Sequence, residues 1–178
     1  MSTHLGFREA LAFVLALALL ATTTGCANVS SGNMVPASFD STKRVDKTIQ
    51  VIVDTTKAND HFKGWVEDSQ FKAAIEQSLL KSKMFTDVKP SGGNYQLRVV
   101  VTSVGQFWGL DFKVAVNTTW EVVDLQTQAP VWRDVVSSDF GATFSDAFAG
   151  AKRVRLAYEG ALKENIRQGI SLMSSSLR

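Results

Sequence analysis

Hydrophobic and polar residues alternate most regularly in the middle of the chain. The alternation runs from Tyr95 to Thr102 and is repeated in the segments Phe112–Val122 and Val131–Phe140. This period of two predicts strands with one buried face and one wetter face. Because the connections between the three runs are short, we expect an antiparallel meander. A fourth run, Thr48–Val53, is short and rich in β-branched residues, which predicts one more strand.

Two other segments carry the period of a helix. Apolar residues recur every three or four positions between Glu67 and Met84, and again from Phe148 to Leu177. The second stripe contains Gly160 and Gly169, each of which costs a helix about 1 kcal/mol relative to alanine. Two interpretations of these glycines stand at this point: close contact of the helix with the sheet, or fraying of its end.

The order of the predicted elements is β-α-β-β-β-α. A four-stranded, largely antiparallel sheet with two helices packed on one face would bury every apolar stripe, so the predicted fold class is α+β. We assign residues 48–178 to this single domain. The segment 26–47 is rich in Ser, Asn, Gly and Lys without an apolar period. It predicts a flexible tether with an rms span of about 25 Å.

The first 25 residues differ from the rest of the chain. Arg8 precedes an apolar run from Ala10 to Ala21. As a helix this run rises about 18 Å, well short of the roughly 30 Å hydrocarbon core of a bilayer. It therefore predicts a secretory signal peptide over residues 1–25.

Cys26, the single cysteine of the chain, comes directly after this predicted signal. The segment Thr22–Ala27 resembles a bacterial lipoprotein signal, in which small residues precede the cysteine that is lipidated and becomes the mature N-terminus. Thr23 stands where that pattern has leucine. The resemblance implies a palmitate-type anchor on Cys26 and, because Ala27 and not aspartate follows, a place on the periplasmic face of the outer membrane. The alternative is an ordinary signal peptide with an incidental cysteine.

Composition excludes several classes of protein. Nineteen Lys and Arg against 17 Asp and Glu give a net charge of +2, which excludes a strongly cationic nucleic-acid binder. One cysteine excludes a disulfide framework or a multi-cysteine zinc site within the chain. The chain has no phosphate-cradling glycine loop, dinucleotide fingerprint, nucleophile elbow or zinc-protease motif. His61 is interpreted as a solvated loop residue, and we expect no enzyme, cofactor or metal.

One predicted turn is unusual because it is apolar. Phe107, Trp108 and Leu110 stand where two strands should reverse direction, whereas turns are normally polar. They either fold over the edge of the sheet and complete the core, or form an exposed patch that contacts a partner or enters lipid. The densest basic cluster, Lys152–Arg155, is either a solvated helix face or a contact for anionic head groups.

The predicted element order behind a lipoprotein signal resembles the small periplasmic domains of envelope-assembly lipoproteins. These include the curli-secretion lipoprotein and the lipoprotein activators of penicillin-binding proteins. The resemblance rests on the segments Phe71–Phe85, Tyr95–Val101 and Ala157–Ile166. It implies a noncatalytic module, held at the membrane by its lipid, that binds a protein partner in envelope assembly or maintenance.

A second function stays open beside this one. The chain could carry a lipid or glycolipid in a cavity behind the sheet, where Ala115, Ala161 and Gly169 would leave room. The sequence leaves the oligomeric state and the identity of any partner open.

Overall fold

The structure, a computed structural model, describes residues 29–39 and 43–177. The predicted signal peptide and Cys26 lie outside the described residues. In chain order the elements are α1 (Ser31–Met34), β1 (Val45–Asp54), α2 (Asp60–Trp65), α3 (Asp68–Ser82), β2 (Phe85–Val88), β3 (Tyr95–Trp108), β4 (Phe112–Asp124), β5 (Pro130–Ala142) and α4 (Gly150–Ser176).

The strands form one mixed sheet in the order β2-β1-β3-β4-β5. β3, β4 and β5 make the predicted antiparallel meander, whereas β1 lies parallel to both β2 and β3. The α+β class is confirmed, but the prediction of four largely antiparallel strands is wrong in number and in the direction of the β1 pairings. The missed strand, β2, has only four residues and begins just after Lys83, whose left-handed backbone ends α3. A run this short carries no readable period.

The two long helices cover one face of the sheet. α3 packs over β1 and β2, and α4 packs over β4 and β5. The side chains of β4 that face the helices, from Phe112 to Val122, are all buried, and Trp120 is fully enclosed. The opposite face of the sheet carries no helix among the described residues, which leaves Val135 exposed there.

The glycines of α4 mark close contact between the helix and the sheet. A Cβ atom at Gly169 would lie 2.6 Å from the Trp120 ring, and one at Gly160 would lie 2.3 Å from the ring of Phe140. Both distances are too short for real atoms, so only glycine permits this helix-to-sheet spacing. The fraying alternative is wrong, because α4 continues to Ser176.

The first described residues pack on the helices and are not a free tether. Val29 and Met34 are buried. The Val29 amide donates to the carbonyl of Trp65 over 3.1 Å, and the Ser30 amide donates to Glu159 Oε1 over 3.2 Å. Two isolated apolar residues in a polar segment give no period, which is why the sequence predicted flexibility here.

Candidate functional site

Five large apolar side chains are exposed at one end of the sheet. Phe107 and Trp108 finish β3 and are 60% and 67% exposed, and Leu110 in the following turn is 91% exposed. Phe144 and Phe148, in the connection from β5 to α4, are 56% and 84% exposed. We name these five residues the aromatic end.

Strand register shows that both loops belong to the same end of the molecule. Phe112, the first residue of β4, pairs with Trp108 on one side and with Ala142, the last residue of β5, on the other. The connection that carries Phe144 and Phe148 therefore begins two strand spacings, about 10 Å, from Trp108.

Ring contacts hold the aromatic end in shape without burying it. The Trp108 ring meets the Phe112 ring edge-on at 4.5 Å between centroids and lies 6.1 Å from His61. Phe144 and Phe148 pack against each other at 5.2 Å. The hairpin residues are thus not core residues, which removes the first of the two sequence alternatives. Contact with a partner or lipid stays a prediction.

Two residues near this end lie elsewhere than the sequence predicted. Phe148 was placed in the apolar stripe of the last helix, but α4 begins only at Gly150 and leaves Phe148 in the loop before it. His61 is exposed as predicted, yet it lies in the first turn of α2 and not in a loop. The side chain of Asn59 accepts the Phe62 amide and caps this helix, a signal that was present in the sequence.

A buried tyrosine supports the aromatic end from below. Tyr158 of α4 packs against Phe62 and Phe112, with ring centroids 5.9 and 6.5 Å apart. Its hydroxyl accepts a hydrogen bond from the side chain of Gln106. Burial raises the pKa of Tyr158 to about 12, although the bond from Gln106 acts in the opposite direction. The phenol is therefore neutral at physiological pH and serves as a packing group.

The chain enters the described structure close to this end. Val29 is bonded to Trp65 at the end of α2, and His61, one helical turn earlier in α2, lies next to Trp108. Glu159 fixes the neighbouring residues, since its Oε1 accepts both the Ser30 amide and the Asn33 side-chain amide, the latter over 2.9 Å. Only two residues, Ala27 and Asn28, separate Val29 from Cys26.

A second surface lies along the free side of β5. It is an open groove of about 720 Å³ between this strand and α4, which we name the edge groove. β5 is the last strand of the sheet, so one of its sides has no strand neighbour among the described residues. The groove is lined by Asn33, Ser137, Phe140, Arg155, Glu159 and Lys163, among others.

Arg155 is the least satisfied polar group of the edge groove. Its buried Nε has no hydrogen-bond partner and lies 3.9 Å from Glu159 Oε1, which is ion-pair range but too long for a hydrogen bond.

The three cations of the predicted basic cluster, Lys152–Arg155, have different surroundings. Lys152 is exposed, Arg153 donates to the carbonyls of Ala147 and Phe148, and Arg155 lies beside Glu159. The cluster is therefore not one continuous cationic face.

The small residues proposed to leave room for a lipid do not share a cavity. Ala161 is fully buried, and the space beside Gly169 is filled by the Trp120 ring. Ala115 lies on the other face of the sheet, where it pairs with Gly105 in the β3–β4 ladder. Nothing in this arrangement favours the carrier alternative.

Metal-ligating side chains do not gather within residues 29–39 and 43–177: no group of three or more His, Cys, Asp or Glu could hold an ion there. Over the same residues, no helix is both long enough and apolar enough to cross a membrane.

The fold is similar to that of several solved bacterial proteins. The protein XCC0632 from Xanthomonas campestris, described as DUF330, superimposes with a TM-score of 0.55 at 12% identity, over 83% of this chain and 91% of that one. The hypothetical protein CT253 from Chlamydia trachomatis gives 0.51 at 8% identity, over 72% and 98%. The PelC dodecamer from Paraburkholderia phytofirmans gives 0.50 at 14% identity, over 74% and 92%.

At such identities the likeness shows the fold alone. No protein-family model matches the sequence, and no curated protein matches it. None of the three structures is described as a curli-secretion lipoprotein or an activator of penicillin-binding proteins, so that type of lipoprotein stays a prediction. The chain thus has the two-layer α+β fold found in these bacterial proteins.

Proposed function

We propose that this chain is a lipid-anchored, noncatalytic interaction module of the bacterial cell envelope. Cys26 carries the lipid, the outer membrane holds the anchor, and the folded domain faces the periplasm. The partner is another envelope protein, and cell-envelope assembly or maintenance is the process served. The lipoprotein-like segment Thr22–Ala27 supports the anchor.

The edge groove is the observation that carries the binding role. An edge strand presents unpaired backbone N–H and C=O groups, to which an extended segment of another protein adds as a further strand. β5 offers 13 residues of such an edge, with the half-exposed ring of Phe140 beside it. A free strand edge next to an apolar ring suits an extended peptide segment better than a small substrate.

The proposed partner is a different envelope protein, and the alternative that the test must include is a second copy of the chain. PelC, which has a similar fold, is described as a dodecamer, which supports including self-association in the test.

Photo-crosslinking in living cells tests this function. A photoreactive amino acid replaces Ser137, which is exposed and lines the edge groove, and the control replaces Gln126, which is exposed in the turn after β4. We expect a discrete crosslinked species from position 137 and none from position 126, with the partner identified by mass spectrometry. Equal labelling at both positions would contradict the proposed groove.

The anchor is tested separately by Cys26→Ser. This variant should yield a soluble or unprocessed protein, as membrane fractionation would show. If the variant is still recovered as a processed membrane protein, the lipid-anchor proposal is wrong.

A further inference from the structure

We infer that the aromatic end lies in the surface of the same bilayer that holds the lipid on Cys26, so that the domain rests on the membrane in one fixed orientation. This inference goes beyond the proposed function and rests on it in one respect, the lipid anchor. The occupant of this surface is a lipid bilayer, and four observations lead to it.

The first observation is the position of the chain entry. Val29 is hydrogen-bonded to Trp65, which follows His61 by one helical turn of about 5.4 Å, and the His61 ring lies 6.1 Å from that of Trp108. The three residue steps from Val29 to Cys26 span about 10 Å at most. When the aromatic end faces the bilayer, a lipid on Cys26 therefore reaches the bilayer. If the domain were turned the other way, the whole length of the sheet would lie between this lipid and the bilayer.

The second observation is the shape and chemistry of the surface. The five side chains belong to the end of β3 and to two loops and are 56% to 91% exposed, so they project from the domain, which suits a fluid surface better than a structured protein partner. Trp108 presents an amphipathic ring, the type of side chain that is enriched at membrane–water interfaces. Leu110 has almost no contact with the rest of the domain, so folding alone does not account for an apolar residue there.

The third observation is that three charged groups at this end already have partners within the domain. Lys113 forms an ion pair with Asp139 at 2.8 Å. The Asp146 carboxylate accepts hydrogen bonds from the Thr143 amide, over 2.7 Å, and from the Thr143 hydroxyl. These two bonds lower the pKa of the Asp146 carboxyl. Asp111 and Lys152, which are also exposed next to the two loops, have opposite charges and together give no net attraction for anionic head groups. The contact is therefore apolar insertion. It should persist at high salt and in vesicles without anionic lipid.

The fourth observation is the contrast with the rest of the surface. Leu80 on α3 and Val135 on the open sheet face are also exposed, but each stands as a single large apolar side chain on a regular element. At the aromatic end, by contrast, exposed apolar side chains lie together. Phe144 and Phe148 pack against each other, and a second loop beside them exposes Trp108.

Depth-dependent quenching of tryptophan emission tests the inference. The mature protein is purified from membranes and reconstituted into phosphatidylcholine vesicles, with and without brominated acyl chains. The chain has four tryptophans, and Trp108 is the one at the aromatic end. We expect brominated lipid to quench the wild-type emission and Trp108→Phe to lose most of that quenching.

The matched control is Trp132→Phe. Trp132 is buried toward the other end of the sheet, where its Nε1 donates to Ser176 Oγ. This variant removes one tryptophan as well, but it should keep the quenched emission. Raising the salt concentration to 1 M, or adding phosphatidylglycerol, should leave the quenching unchanged.

The intact mass of the same preparation separates this inference from the proposed anchor. An acylated protein whose Trp108 is not quenched overturns the inference and leaves the anchor standing. A mass without acyl chains overturns the proposed lipid anchor. In that case the unacylated protein is mixed with vesicles, and quenching of Trp108 supports the membrane contact, whereas its absence overturns it. Quenching lost equally in Trp108→Phe and Trp132→Phe overturns the inference, because the contact would have no fixed orientation.

Discussion

The two turns of the β3–β4–β5 meander lie at opposite ends of one sheet and are built differently. In the turn after β4, the Asp124 side chain accepts the amides of Gln126 and Thr127 over 2.8 and 3.1 Å, and Gln128 adopts a positive φ of 59°. That turn satisfies its own backbone with polar residues. The turn after β3 is surrounded by Phe107, Trp108 and Leu110, which folding leaves in water.

The difference separates residues that stabilise the fold from residues that folding leaves exposed and that we propose contact the membrane. A turn needs polar side chains or water for its backbone groups, and exposed aromatic rings supply neither. Their presence at only one of the two turns supports the proposed membrane contact of that end. Substitutions should therefore divide into those that change the free energy of unfolding and those that change membrane contact.

The largest effect on stability is expected between the two turns, at Trp120. This ring is fully buried, fills the space at Gly169, and donates from Nε1 to Thr118 Oγ1 over 2.9 Å. Trp120→Ala should lower the free energy of unfolding by about 3–5 kcal/mol, measured by urea denaturation. The control, Val135→Ala on the exposed face, should change it by less than about 0.5 kcal/mol. Equal effects of both variants would mean that the core is not where the structure has it.

A smaller effect is expected at Glu159, which holds the first described residues of the chain against α4. Glu159→Ala removes the acceptor of the Ser30 amide and of the Asn33 side chain and should cost about 1–3 kcal/mol. Hydrogen exchange at the Ser30 amide should accelerate. Glu164→Ala, whose carboxylate pairs with Arg167, is the control and should leave that exchange rate unchanged.

Alkaline pH should distinguish the two ends through Tyr158, which lies beneath the aromatic end. The pKa of Tyr158 is raised from 10.0 to about 12 in the folded state, so its contribution to stability is fully present below pH 10 and is lost as pH rises toward 12. Tyr158→Phe should therefore lose less stability over this window than the wild type does. Trp132→Phe, which changes a buried ring toward the other end of the sheet and leaves Tyr158 in place, should follow the wild-type pH dependence. Parallel curves for all three proteins would contradict a buried phenol beneath the aromatic end.

The smallest effect on stability is expected at the aromatic end itself. Phe107→Ser combined with Trp108→Ser should change the free energy of unfolding by less than about 0.5 kcal/mol, because both side chains are largely exposed. The same variant should lose membrane contact, measured as protection of the Leu110 loop from protease in vesicles. A melting temperature lowered by several degrees would assign the pair to the core and would remove the distinction between the turns.

The sequence predicted the parts of the fold that have a period. The alternation in β3, β4 and β5 and the stripe of α4 were long enough to predict these elements. For Gly169 the sequence left contact with the sheet and fraying open, and the structure shows the contact. β2 and α1 have four residues each and show no period, so their existence depends on packing that the sequence does not display. The parallel pairing of β1 escaped prediction for a related reason: it is set by the crossover through α3 and not by side-chain pattern.

The candidate site was found only in part for similar reasons. Phe107, Trp108 and Leu110 stood out because apolar residues are unusual in a turn, but alternation could not say whether they were buried. Phe144 and Phe148 were missed, because helical spacing continued formally into the loop before α4. The edge groove had no signal in the sequence, since a free strand edge is a property of strand order.

The parallel pairing of β1 has a consequence for the order of events during folding. β3, β4, β5 and α4 are consecutive in the chain and can assemble through local contacts. Gln50, by contrast, must find Gln96 across 46 residues of sequence. Closing that loop costs entropy before any contact repays it, which favours docking of β1 onto an existing meander. β1, the first strand of the chain, is then the last strand to be fixed in the sheet, although it is synthesised first.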